Sequence, residues 1–272
     1  MRDLLRHPTG LAGAALLALI GVAVLLGPTL APYDPQQFHP TARLQGPSPL
    51  YWLGTDQFGR DLLSRLLHGA RSTVLFGLGA TVAGVLVGAV IGVAAGVTGR
   101  WVDSFIMRLV DGLLAVPELL FTLLIVTVLG GGTGHAMLAV AVAFTPGMAR
   151  IARSAVLSIR TREFVQAATA RGESRAYVIG REVMPNAVGP VIVESTIRVS
   201  FAIMLGATLG FLGLGAQPPS TEWGLMIAEA RQYMFRNPWC VAVPGVAIAM
   251  AALGFNLFGD ALRDVVDPRG RR

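Results

Sequence analysis

Long apolar runs separated by short polar stretches dominate this chain. Such runs lie at Leu11 to about Leu30 and then at about 72–98, 106–129, 136–158, 188–214 and 239–260. Each is near or above the roughly 20 residues that cross a hydrocarbon core of about 30 Å as a helix rising about 1.5 Å per residue. The pattern predicts an all-α integral membrane protein with six transmembrane helices. The first run exceeds the apolar region of about 7–15 residues found in a secretory signal peptide, so it is read as a retained anchor behind Arg2 and Arg6. A proline-rich polar loop follows, and within it the amphipathic piece Arg60-Asp61-Leu62-Leu63-Ser64-Arg65-Leu66-Leu67 predicts a helix lying at the membrane interface. The expected organisation is therefore an anchor helix, loop and interfacial helix over 1–71, then a five-helix core over 72–272 interrupted by a polar segment at about 159–187.

Composition fits that class: 53% of residues are hydrophobic, 14% are charged and the mean hydropathy is +0.61, far from the roughly quarter-charged mix of a soluble domain. The single cysteine, Cys240, allows no internal disulfide, and His7, His39, His68 and His135 lack metal-ligand spacing, so no metal site is expected. All 22 basic residues are arginine. A phosphate loop needs a lysine on the nucleotide phosphates, so this chain is not itself a P-loop ATPase, and lysine Schiff-base chemistry is excluded too. A GC-rich genome is the simplest source of the arginine bias.

The arginines also orient the chain. With the N-terminus inside, the inner loops and ends carry Arg2, Arg6, Arg100, Arg108, Arg150, Arg153, Arg160, Arg162, Arg171, Arg175, Arg181, Arg263, Arg269, Arg271 and Arg272. The outer loops then hold only Arg43, Arg60, Arg65, Arg71, Arg231 and Arg236. Inner loops of bacterial membrane proteins are enriched in this way, so both termini are expected in the cytoplasm. The same bias, together with anionic lipid, accounts for the net charge of +6 without nucleic-acid binding.

Within the spans, Ala80, Gly84, Gly88, Gly92 and Gly96 recur every four residues and predict a helix-packing stripe where a neighbour's backbone comes close. Pro117, Pro146 and Pro244 favour kinks. Ionisable groups in spans are costly and carry a functional hypothesis by default: Asp111 and Glu118 near the start of the third, Glu194 and Arg198 in the fifth. Glu194 and Arg198 stand in the favourable helical order for an ion pair, so mutual neutralisation competes with a place on a translocation path.

The polar segment Glu163–Asn186, EFVQAATARGESRAYVIGREVMPN, reads as helix, break, helix. Residues 163–171 have helical spacing, Gly172 offers the break, Ala176 to Val183 form a second short helix and Pro185 stops it. A short exposed helix of this kind suits a cleft on a cytoplasmic partner.

Gln166-Ala167-Ala168, then Gly172, then Pro185, resembles the Glu-Ala-Ala signature of the coupling loop in permeases of bacterial ABC importers, with Gln166, Glu182 and Met184 as departures. Leu53-Gly54-Thr55-Asp56, Gly59-Arg60-Asp61 and Ser64-Arg65 resemble the first outer loop of the C-type permease of the dipeptide, oligopeptide and nickel importers. Phe211-Leu212-Gly213-Leu214-Gly215, Gln217-Pro218-Pro219 and Glu222-Trp223-Gly224 resemble its last outer loop, and Phe255-Asn256-Leu257 through Asp267-Pro268-Arg269 its C-terminal end. The resemblance implies the type I ABC importer permease fold and a machine with a homologous B-type permease, two cytoplasmic ATPases that use ATP and Mg, and an external substrate-binding protein. It implies coupling through Gln166, Ala167, Ala168, Gly172 and Pro185, and docking of the binding protein through Gly54, Thr55, Asp56, Gly59, Arg60, Asp61, Glu222 and Trp223. This chain would itself bind no cofactor and make no covalent chemistry. Relatives often carry an acid where this chain has Gly206, so no polar gate is expected there. Short peptides are the expected cargo, with nickel or another small solute as the alternative. A secondary transporter or channel coupled to ions through Asp111, Glu118 and Glu194 is the reading from a different class. An intramembrane enzyme stands further off, since no H-E-x-x-H motif or nucleophile–base pair is visible.

Overall fold

The computed structural model describes residues 8–266, which form helices and connecting loops. Arg2, Arg6, His7 and the Asp267-Pro268-Arg269 motif lie outside the described residues. Helix α1 is Pro8–Leu30, α2 Leu62–Val97, α3 Arg100–Leu114, α4 Glu118–Leu129, α5 Thr133–Arg160 and α6 Glu163–Ala170. Then α7 runs Arg175–Phe211, α8 Trp223–Ala230 and α9 Trp239–Val266. Five of these (α1, α2, α5, α7 and α9) are long and apolar enough to cross a membrane, and the sharply bent α3–α4 pair passes the same test only when its two helices are taken together.

Three expectations need correcting. The segment read as a separate interfacial helix is, from Leu62 onward, the first turns of α2 itself. Asp61 caps that helix by accepting from the Ser64 amide at 2.8 Å, and Leu62 and Arg65 are buried, so these turns are held in protein. The third span is not one helix: α3 and α4 meet at 88°. Pro117 sits at the N-cap of α4 in an extended conformation; it has no amide to donate and disfavours helix in the residue before it. Pro185, finally, does not stop the second short helix of the polar segment. The chain passes from Arg175 through a π-helical stretch, Val178–Val183, directly into the long helix. A wider turn relieves the clash that the proline ring would otherwise have with a preceding carbonyl.

The small-residue stripe explains how the core closes. Side chains added at Gly84, Gly88 and Gly92 would meet the carbonyl oxygens of Ala141, Thr145 and Ala149 at 2.7, 2.6 and 2.2 Å, and one at Gly96 would meet Val156. The ladder therefore lies against α5 over its whole length, with Ala80 fully buried at its start. Apolar clusters flank this seam: Val126, Val140, Phe144 and Leu209 on one side, and Leu62, Val74, Ile203, Trp223, Met226 and Ala251 on the other. Helices α1 and α9 run antiparallel, Gly13 against Phe258. Alternation of the crossings gathers the Ala31–Asp61 loop, α8 and the loop before α9 at one end, and α6 with the far ends of α2 and α5 at the other.

Candidate functional site

At the second end, Glu163–Ala170 forms the short helix α6. It closes by a Schellman arrangement: the Gly172 amide donates to the Thr169 carbonyl at 3.0 Å and the Glu173 amide to Ala168 at 3.3 Å. Gly172 takes φ +82°, a conformation that favours glycine because other residues meet their own Cβ there. Two residues on, the Ser174 hydroxyl accepts from the Tyr177 amide at 3.2 Å and starts the next helix. Val165 and Ala168 are buried toward the bundle, while Gln166 and Ala167 are exposed. The Gln166 side-chain amide donates to the Thr161 carbonyl at 3.2 Å, a bond that a carboxylate could not make. Behind α6 is a crevice of about 380 Å³, lined by Val97, Arg160, Val165, Thr169, Arg175 and Val178 among others. Arg160 reaches the Gly96 carbonyl at 2.5 Å and ties the end of α5 to the end of α2.

At the opposite end, the residues expected to dock a partner are buried. Thr55, Asp56, Arg60, Asp61, Glu222 and Trp223 are each at most 6% exposed. They build the loop and do not offer side chains to a visitor. Asp56 accepts from the amides of Phe58 and Arg60 and pairs with the guanidinium groups of both Arg60 and Arg65. Glu229, on α8, completes the cluster by pairing with the same two arginines at 2.9 and 3.0 Å. Two positive and two negative charges are thereby neutralised where an unpaired one would be costly. Gly54 and Gly59 take φ of +84° and +78°, and a Cβ at either would strike the backbone of Gln45 or His39. Glu222 caps α8, accepting from the amides of Gly224 and Leu225, both at 2.8 Å. Burial pushes its carboxyl above the ordinary carboxylate value, against the opposing pull of those two amides. Trp223 donates from its indole to the Leu66 carbonyl at 3.0 Å. The most exposed large apolar side chains of these loops are Leu50, Trp52 and Phe235, at 71, 69 and 95%, with Phe38 next at 59%. Glu229 and this apolar trio carried no spacing signal in the sequence, because each depends on two loops meeting.

The intramembrane charges also have partners. Arg198 donates to Glu118 on α4 at 2.7 Å and to Glu194 at 3.3 Å, so the expected pair is one half of a shared arrangement. Its guanidinium also lies 5.0 Å from the Phe144 ring centre. Asp111 pairs with Arg150, and Asp103 with Arg153 through two bonds, one of 2.6 Å. The acids on α3 and α4 thus face arginines on α5 and α7. Gly206 seats the Phe76 ring, which leaves no room there for a side chain unless that ring moves.

Comparison with known proteins identifies the architecture. Residues 66–272 match the family described as the inner membrane component of binding-protein-dependent transport systems, and residues 1–47 match the N-terminal transmembrane domain of oligopeptide transport permease C. The chain belongs to this permease family. The permease is 38% identical to the dipeptide transport system permease protein DppC of Alkalihalophilus pseudofirmus, over 98% of this chain and 88% of that one. It is 42% identical to the di/tripeptide transport system permease protein DppC of Pseudomonas aeruginosa, over 95% and 88%. Among solved structures, an inward-facing MetNI methionine ABC transporter matches with a TM-score of 0.62 at 18% identity, covering 75% of the permease and 96% of that chain. This last likeness establishes the type I importer permease fold.

Proposed function

We propose that the permease forms half of the translocation path of an ATP-driven importer of short peptides, and that α6 is the element through which separate ATPases drive it. The observation that carries this reading is α6 itself: a glycine-terminated helix with Gln166 and Ala167 facing outward, joined to the long helix α7 by one short turn at Arg171–Ser174 that the Gly172 and Glu173 amides and the Ser174 cap hold in place. A push on such a helix is transmitted to the spans as a rigid-body motion instead of being absorbed in a flexible loop. The arginine distribution supports a cytoplasmic α6 and cytoplasmic termini in the bacterial inner membrane. With Arg60 and Arg65 neutralised by Asp56 and Glu229, the outer face carries even less free positive charge.

A homologous permease completes the path, and a substrate-binding protein docks outside. Leu50, Trp52 and Phe235 are the side chains available for that docking, supported on the buried charge cluster. Peptides are the favoured cargo because the relatives at 38 and 42% identity are named for dipeptides and di/tripeptides. The test is a cross-link: Ala167→Cys should form a disulfide-length bond with a cysteine placed in the groove of a co-expressed ATPase, while the outward-facing Trp52→Cys should not. A permease that purifies without any ATPase, with no cross-link at Ala167, overturns the reading.

A further inference from the structure

We propose that α3 lies in the plane of the membrane and embeds Trp101, Phe105 and Leu109 in the lipid leaflet on the side of α6. Asp103 and Asp111, separated by about 12 Å along α3, reach Arg153 and Arg150, which are only about 4.5 Å apart along α5. A helix whose length maps onto less than one turn of its neighbour crosses that neighbour. The 88° bend at Pro117 then sends α4 back along the bundle to the other end, where the Gly132 amide meets the Leu214 carbonyl.

The depth is that of a membrane boundary. From Thr133, at the far end of α5, to Arg150 and Arg153 the helix rises about 26–30 Å, close to the thickness of a hydrocarbon core of about 30 Å. Around its axis α3 divides into three faces. One carries the buried Val110 and the bonded Asp103. The second is the stripe Trp101, Phe105 and Leu109, exposed by 90, 66 and 57%. The third is the stripe Arg100, Ser104 and Arg108, also exposed. Protein, lipid and water each find a matching face, whereas a helix covered by another protein would not need adjoining apolar and basic stripes. The apolar stripe is continuous in character with Leu120, Leu124 and Val128 on α4, exposed by 57, 60 and 78% on the membrane-spanning surface. Arg100 and Arg108 are complementary in charge to lipid phosphates, and tryptophan is favoured at that depth.

Spin labels on the assembled transporter in phospholipid vesicles test the assignment. Labels at Trp101→Cys, Phe105→Cys and Leu109→Cys should collide several-fold more with oxygen than with a water-soluble nickel chelate, and labels at Ser104→Cys and Arg108→Cys should reverse that preference. Cys240 is buried and serves as the unlabelled background. Apolar-stripe labels shielded from both reagents, as a second permease would leave them, overturn the proposal, as do labels open to the chelate. If a cysteine variant fails to assemble, bromine-labelled lipid replaces it: the share of tryptophan emission it quenches should fall in Trp101→Phe, and an unchanged share contradicts the proposal. Neither readout involves ATP or peptide, so it can fail while the importer reading stands.

Discussion

Gly172 and Gln166 separate shape from charge within the same short helix. Proline at 172 removes the amide that bonds Thr169 and forces φ from +82° to about −65°, so the Schellman turn cannot form. Gly172→Pro should reduce transport at least tenfold with the permease still present in the membrane. Gln166→Ala loses one exposed bond to Thr161, a change of about 0.5–1.5 kcal/mol, and should leave transport within a few-fold of the parent. The opposite ranking in an uptake assay would mean that side-chain chemistry at 166 matters more than the turn. In the outer cluster, Asp56→Ala leaves Glu229 alone against two buried arginines and should cost about 3–5 kcal/mol, read as a lowered unfolding midpoint in detergent. Trp52→Ala removes an exposed ring and should leave that midpoint unchanged. Glu222 gives a pH dependence of definite sign. Its folded pKa lies above the ordinary 4.5, so the folded state holds the proton more tightly, and stability declines as pH rises from about 4.5 through the raised value. Glu222→Gln should flatten that part of the stability profile, as followed by melts across the pH range.

Between elements, the α2–α5 seam and the α3–α4 bend do different work. Gly92→Ala places a Cβ 2.2 Å from a backbone carbonyl that cannot rotate away, so the helices must separate, at a cost of about 1–3 kcal/mol. Gly21→Ala in α1 meets nothing within 4 Å and should be neutral or slightly stabilising; comparing the two melts tests whether the ladder is a packing seam. Much of this level was legible in the sequence, because four-residue spacing of glycine has one helical meaning and the apolar runs have one length scale. The sharp α3–α4 bend was not legible: Pro117 announces a kink, but its angle is set by Asp103, Asp111 and Glu118 finding arginines on α5 and α7. Pro185 misled for a related reason, since a local rule that ends helices gave way to a π turn that the rest of α7 holds in place. The outer loop motif was visible as a motif, yet its burial follows from Glu229, nearly 170 residues away from Arg60 along the chain.

For the whole molecule, the two ends of one bundle have opposite characters. One end is stiffened by buried charge pairs and exposes a few large apolar side chains; the other presents a capped helix tied to a span by one short turn. That asymmetry suits a permease that receives cargo on one side and force on the other, while within the bundle Glu118 and Glu194 share a partner in Arg198. Family membership and the type I fold agree with it. The most direct test is peptide uptake into proteoliposomes holding the permease with its co-purified subunits and binding protein. Uptake should require ATP on the side that exposes Glu163–Asn186 and should be lost in Gly172→Pro, whereas uptake that follows a proton or sodium gradient without ATP would contradict the account.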